Sequence, residues 1–326
     1  MTVKIEKNKS RINLNTFKVL LVKYGIFLVL IAMLIIASLL SPYFLTRENL
    51  VNVVRQVSIM LIVASGMTML LVSGLFDISA GSVMAFAGIL AVDISMKTNS
   101  PIIGILAAIA VGAAIGFING GIIAKYRVPA FIVTLGMMSA ARGAAYIYTG
   151  GYTIVKIGSF KIIGQGSVIG IPLPIIIMAF ILVIAWVILN RLRFGRYLYA
   201  IGGNEQAALA SGVNIVRIKI LVFVISGCLI GLAGAVLMGR INAGVPTAGE
   251  GYEFDAITAA IIGGTSLYGG IGNIPGTIVG ALIIGVLNNI LNLMGVSSYW
   301  QLVVKGAIIV GAVLLDIKTK QTRIGK

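Results

Sequence analysis

The sequence predicts an all-α polytopic membrane protein of about ten transmembrane helices, and three observations carry that prediction. Of 326 residues, 59% are hydrophobic and 10% charged, where a soluble domain carries about 25% charged residues. Residues 256–304 contain no Asp, Glu, Lys or Arg, a stretch longer than two bilayer crossings at about 20 residues each. The apolar runs are too long and alternate too little for barrel strands, so backbone groups that meet no water in lipid must pair within helices.

The spans are read at 25–41, 56–74, 78–94, 101–124, 130–148, 171–190, 218–239, 254–265, 275–295 and 299–316. They divide the chain into a basic N-terminal segment (1–24), helices one to six (25–190), a loop (191–219), helices seven to ten (220–316) and a basic tail (317–326). No small-residue cleavage site follows the first run, so it is a retained helix and not a secretory signal.

The net charge of +16 must be sorted by side before it suggests a partner. Seventeen of the 25 basic residues fall in the N-terminal segment, the 124–130 and 191–219 loops and the tail, whereas only Arg47, Lys97, Lys156, Lys161 and Arg240 fall on the other side. That bias puts both termini in the cytoplasm. It also accounts for the basic charge without nucleic acid, because the bases are spread over four segments facing one side of a lipid membrane.

Several chemistries are excluded by what is missing. There is no histidine, a single cysteine (Cys228) and no GxxxxGK[ST] loop, so neither a zincin, a Ser-His-Asp triad nor an ATP site is expected on this chain. No catalytic residue, metal site or bound cofactor is expected.

Within the bundle, glycines recur at helical spacing, as in Gly112, Gly116 and Gly120, Gly227 and Gly231, and Gly276 and Gly280, which lets helix backbones approach closely. Two spans look short, those after Phe76-Asp77 and Phe254-Asp255, where each carboxylate is suited to cap a helix N-terminus. Each short span is followed by a glycine-striped helix with a polar end, Asn119 in one and Asn288 in the other. This pattern suits an inverted repeat of spans two to five and seven to ten, a common plan for alternating-access transporters.

The 191–219 loop holds a short helix signal. Asn204 is an N-cap, Glu205 suits the first-turn dipole, Gln206 to Ala210 favour helix, and Gly212 is a terminator. Here the chain reads Gly202-Gly-Asn-Glu-Gln-Ala-Ala-Leu-Ala-Ser-Gly-Val-Asn214, and it resembles the permease subunits of bacterial sugar ABC importers, in the branch containing the ribose transport permease, whose coupling segment has the form G-G-N-E-x-A-A-x-x-S-G-[IV]-N. The resemblance continues through Pro246–Ile257, Gly263–Ser266, Leu287–Asn289 and Gly295–Gln301. Where the family has G-G-I-D-L-S-V-G-S, this chain has Leu75 in place of the second glycine but keeps Asp77, Ser79, Gly81 and Ser82.

The resemblance implies a permease without covalent chemistry in a bacterial cytoplasmic (inner) membrane. Its partners would be a second permease copy, ABC ATPase subunits that carry ATP and Mg, and an extracytoplasmic sugar-binding protein. The 204–212 helix would dock in a groove of the ATPase through Gly203, Asn204, Glu205, Ala207, Ala208, Ser211 and Gly212, with Glu205 and Ala208 at the contact. The flanking stretches Pro246–Gly249 and Leu291–Leu293 favour ribose over other pentoses, hexoses or signalling sugars.

The polar residues in or near spans are candidates for the pathway: Asp77, Ser79, Arg142, Asn288 and Asn289. Arg142, inside the fifth span, is expected to pair with Asp77 or Asp93, and Lys305 to snorkel toward the interface. Glu250 and Glu253, in a glycine-bearing outer loop, are candidate contacts for the binding protein. A proton-coupled transporter is the rival class, poorly supplied here because only Asp77, Asp93 and Asp255 approach the membrane interior.

Overall fold

A computed structural model describes residues 14–324, with side chains from Gly25 to Leu314 and Asp316. Lys4, Lys7, Lys9 and Arg11 of the basic N-terminal segment, and Lys326 of the tail, lie outside the described residues. Helices stand at all ten expected positions. They are α1 (Leu14–Leu40), α2 (Arg47–Val72), α3 (Ala80–Thr98), α4 (Pro101–Tyr126), α5 (Ala130–Thr149), α7 (Leu173–Asn190), α10 (Ile215–Ile241), α11 (Tyr252–Ile262), α12 (Ile274–Leu293) and α13 (Ser298–Ile324). Between α5 and α7 the chain makes a 3₁₀ turn (Gly158–Lys161), one turn of helix α6 (Ile162–Gln165) and a small hairpin of β1 (Ser167–Val168) with β2 (Ile171–Pro172). Two further helices, α8 (Arg193–Gly203) and α9 (Glu205–Ala210), precede α10.

Seven of these helices, α2, α3, α4, α5, α7, α10 and α12, are long and apolar enough to cross a bilayer, and shorter apolar stretches lie at 25–40 and 298–314. Of the two spans expected to be short, only 254–265 is. Its helix has 11 residues, about 16 Å at 1.5 Å per residue, roughly half of a 30 Å hydrocarbon core. By contrast α3 is a full 19 residues, because the helix continues past Asp93 to Asn99, whose φ of 52° ends it just before Pro101 opens α4.

Every residue of α2 from Val57 to Val72 is buried, so over that length the helix has no lipid face and forms the centre of the bundle. It is surrounded by α7, α10, α11 and α12, while α10 packs along α4 and α3. On the perimeter, α4, α5 and α7 turn Ile102, Leu106, Phe117, Ile132, Leu135, Phe180 and Val183 outward, an apolar surface that only hydrocarbon solvates without penalty.

Lipid is as apolar as Leu, so helices here associate by close packing. The glycine stripes supply it. A methyl group built on Gly112 would strike the Gly227 carbonyl, and one on Gly231 the Ala108 carbonyl, so α4 and α10 touch backbone to backbone along their length. Gly276 and Gly280 of α12 meet Gly263, just past the end of α11, and Ala259 within it in the same way.

The chain after α10 does not stay at the bundle surface. Gly234 of α10 lies against Met84, near the start of α3, and Gly249 lies against Gly81 in the first turn of α3. Gly234 is seven residues, about 10 Å, inside the end of α10. Segment 242–251 therefore folds back into the bundle before α11 begins, and that descent is why α11 needs only half the usual length.

Candidate functional site

One end of the bundle displays α8 and α9. In α8, Gly195, Leu198 and Ile201 are buried while Arg193 and Arg196 are exposed. This helix is absent from the sequence expectations, although Phe194, Leu198 and Ile201 fall at helical spacing and would have signalled it. Asn204 leaves the helix with φ −159°, and its side chain accepts the Ala207 N–H at 2.9 Å, capping α9 as expected. Gly212, at φ +82°, closes the helix, and the Val213 N–H donates to the Ala208 carbonyl at 3.1 Å.

α9 is only six residues long, so its faces are few. Gly203, Asn204, Glu205, Ala207, Ser211 and Gly212 are exposed, but Ala208 is 4% exposed and belongs to the buried cluster with Val213, Ile215 and Ile218. The placement of Ala208 at an outside contact is thus corrected: it anchors α9 to α10. The outward apolar residue is Leu209, 60% exposed. Glu205 stays at the surface, its carboxylate held by Lys219 Nζ at 2.8 Å.

The seat of α8 is a second backbone contact. A methyl group on Gly202 would strike the Val72 carbonyl at the end of α2 and the Gly270 amide, and the Gly270 N–H itself donates to the Val72 carbonyl at 2.8 Å. Nearby, Tyr199 Oη donates to the Gly272 carbonyl at 2.7 Å, and burial pushes this phenol above its ordinary pKa. The display helices thus rest on α2 and on the turn joining α11 to α12.

Inside the bundle the expected polar residues separate. Asp77 does not cap α3; it accepts the N–H of Ser79 at 2.8 Å, and Asn119 Nδ2 donates to the Ser79 hydroxyl at 3.3 Å. Asp255 is no cap either, because it lies within the first turn of α11, after Gly251 at φ 83°. Arg142 pairs with neither aspartate. Its guanidinium donates to the carbonyls of Pro246 and Ala248, the latter at 3.0 Å, and so holds the returning segment. Asp93 takes Lys97 at 2.7 Å and Tyr148 instead.

Two residues expected near the surface are drawn in. Glu253 is 5% exposed; its carboxylate accepts the Gly251 N–H at 3.3 Å and abuts the first turn of α3 at Gly81, where the helix dipole favours an anion. It is not available to a protein docking outside, whereas Glu250 is exposed. Lys305 does not snorkel but pairs with Asp255 at 2.9 Å, both side chains mostly covered.

Asn289 and Asn49 exchange side-chain hydrogen bonds at 2.7 and 3.0 Å, tying α12 to α2. Asn288 faces a cleft between α2, α11, α12 and α13. Its lining combines polar Gln56, Glu250, Asp255, Asn288 and Lys305 with apolar Val57, Met60 and Gly285 and the ring of Tyr252. Gln56 and Tyr252 were not singled out by sequence reasoning: Gln56 stands in no recognisable motif, and Tyr252 lies within the family-like stretch Pro246–Ile257 but without a polar pattern marking it as a lining residue.

Comparison with known proteins bears on the whole assembly. The family profile described as "Branched-chain amino acid transport system / permease component" matches residues 49–313. The chain is 45% identical to the ribose import permease protein of Bacillus subtilis (strain 168) over 97% of this chain and 98% of that protein. It is 46% identical to the ribose import permease protein of Escherichia coli (strain K12) over 89% and 92%. The L-arabinose transport system permease protein of Escherichia coli (strain K12) is 39% identical over 90% of both chains. No solved structure matches the chain. A bundle of bilayer-length apolar helices, with a helix pair displayed at one end and full-length likeness to import permeases, makes this chain a member of the permease-component family of ABC importers, a transport subunit and not an enzyme.

Proposed function

We propose that the chain is the membrane-spanning permease of an ATP-driven importer that moves ribose into the cell by alternating access. The observation that carries this reading is the 45% identity, end to end, with a protein named a ribose import permease. Two copies form the pathway in the inner membrane. Separate cassette subunits carry ATP and Mg, and an extracytoplasmic binding protein delivers the sugar.

The order of helices supports ten crossings with both termini in the cytoplasm, the segment 242–251 and α11 together making the eighth. Helix pairing supports the inverted repeat. α10 packs on α4 and α3 as α2 packs on α12 and α11, and α3 meets α4 and α5 as α11 meets α12 and α13. The exposed Leu209 and Gln206 of α9 suit a cassette groove, and closure of the cassettes around ATP would move α9, α8 and their seat together. Exposed Glu250 suits a contact with the binding protein.

The test is ATP hydrolysis by the reconstituted complex with sugar-loaded binding protein, native against Glu205→Arg and Gly212→Pro. Ribose-loaded protein should stimulate hydrolysis and both substitutions should abolish the stimulation while the helices stay folded. Hydrolysis indifferent to both would remove the coupling role of α9. Likeness to permeases named for L-arabinose and D-allose, at 39% and 38% identity, favours a second reading in which another sugar is carried, and the binding protein loaded with each sugar in turn decides it.

A further inference from the structure

We propose that the cleft between α2, α11, α12 and α13 is a subsite on the sugar's route, binding the hydroxyls of a neutral monosaccharide through Asn288, Asp255 and Lys305. This inference rests on the import reading above and names where, within one copy, the sugar is held.

The starting point is an unsatisfied atom. Asn288 is 6% exposed, lines the cleft, and its Oδ1 is buried with no hydrogen-bond partner. A buried amide oxygen left unpaired is unfavourable anywhere and more so at membrane depth, where polar groups mark functional pathways. Its chain neighbour Asn289 is fully engaged with Asn49, so interhelical bonding already has its own asparagine and the Asn288 oxygen is left for another partner.

The walls suit a polyol. The same lining holds the Asp255 carboxylate and Lys305 ammonium, 2.9 Å apart, a spacing that two adjacent hydroxyls can bridge by donating to one and accepting from the other. The Gln56 amide adds a donor and an acceptor. The lining also has an apolar part, Val57, Met60 and the Tyr252 ring, suited to the C–H face that a sugar presents between its hydroxyl edges. Two carboxylates, Asp255 and Glu250, stand against one ammonium, which disfavours sugar phosphates and sugar acids.

The depth suits a route. Asn288 is five residues from the end of α12, Lys305 seven from the start of α13, and Gln56 nine from the start of α2. At 1.5 Å per residue these are about 8 to 14 Å below the same end of the bundle, the end opposite α8 and α9. A sugar released from a binding protein on that side would meet this cleft in the outer half of the membrane.

The experiment uses the complete complex in proteoliposomes, with cassette and binding protein, and the Gln56→Cys variant of the permease. Labelling of the introduced thiol by a membrane-impermeant reagent is followed against free ribose concentration, in a background carrying Cys228→Ser. Ribose should protect the thiol at about millimolar concentration, and Asn288→Ala should raise the half-protecting concentration about tenfold, the loss expected for one good hydrogen bond. Ribose 5-phosphate should not protect. If the native complex transports ribose but ribose never protects position 56, or protects it equally in Asn288→Ala, the subsite is refuted and the import reading stands. If Asn288→Ala does not assemble, Asn288→Asp replaces it, with altered protection again expected and unchanged protection refuting the assignment. A native complex that neither transports ribose nor is protected by any of the tested pentoses and hexoses refutes the import reading itself.

Discussion

Gly120 and Gly121 are consecutive residues of α4 in opposite surroundings, and substituting each by alanine isolates the helix contact from helix propensity. A Cβ at Gly120 would lie 2.9 Å from Ile220 Cα and 2.9 Å from Phe223 Cβ, whereas at Gly121 nothing lies within 4 Å. Carbon atoms pack best at about 3.5–4.0 Å, so Gly120→Ala forces α4 and α10 apart by roughly 0.6–1.1 Å. One of the atoms met is backbone and cannot rotate away. Overpacking of this kind costs about 1–3 kcal/mol, while removing a helical glycine gains about 0.5–1 kcal/mol wherever there is room. The propensity gain is common to both variants, so Gly120→Ala should be the less stable of the two by the overpacking cost alone, about 1–3 kcal/mol. Reversible unfolding of the purified permease in mixed micelles, titrated with dodecyl sulfate, reads the difference directly. Equal midpoints, or a stabilised Gly120→Ala, would refute the backbone contact between α4 and α10.

Three further outcomes are expected. Lys305→Met leaves Asp255 partly buried without its cation and should destabilise more than the double change Lys305→Met with Asp255→Asn, by about 1–3 kcal/mol in a double-mutant cycle; additive effects would deny the ion pair. Leu209→Asp should suppress ATP hydrolysis stimulated by loaded binding protein at least tenfold while leaving the unfolding midpoint unmoved, since Leu209 is exposed; unchanged stimulation would show that α9 docks by another face. Tyr199→Phe removes the tie to Gly272 and should lower stability by about 1 kcal/mol. Because burial raises the Tyr199 pKa, the tyrosine's contribution is complete below the unfolded value near 10 and fades as pH rises through the higher folded value, so native and Tyr199→Phe proteins should differ at pH 8 and converge in strong alkali.

Most of the bundle was legible because composition and run length report burial in lipid directly. α9 was legible too, since Asn204 and Gly212 sit where capping chemistry needs them. What escaped was depth. Nothing in residues 242–251 announces that the segment turns back inward, so the shortness of the 254–265 span had no visible cause and Glu253 read as a surface residue. Arg142 could not be matched to its partners because backbone carbonyls, unlike aspartates, leave no trace in a sequence. Lys305 and Asp255 are 50 residues apart, and only the packing of α13 on α11 brings them together. Within the cleft, Asn288 was legible as a polar residue in a span, but Gln56 and Tyr252 gain meaning only beside it.

The close fit of Gly202 between Val72 and Gly270 has a mechanical consequence. A joint with a cushion of side chains yields before it transmits, whereas main chain against main chain has almost no slack. Displacement imposed on α9 should reach α2 and the α11–α12 turn nearly undiminished, each belonging to a different half of the bundle. The stroke is then set by the rigidity of three backbones and not by the softness of a hinge, and a single methyl group at position 202 would be enough to jam it.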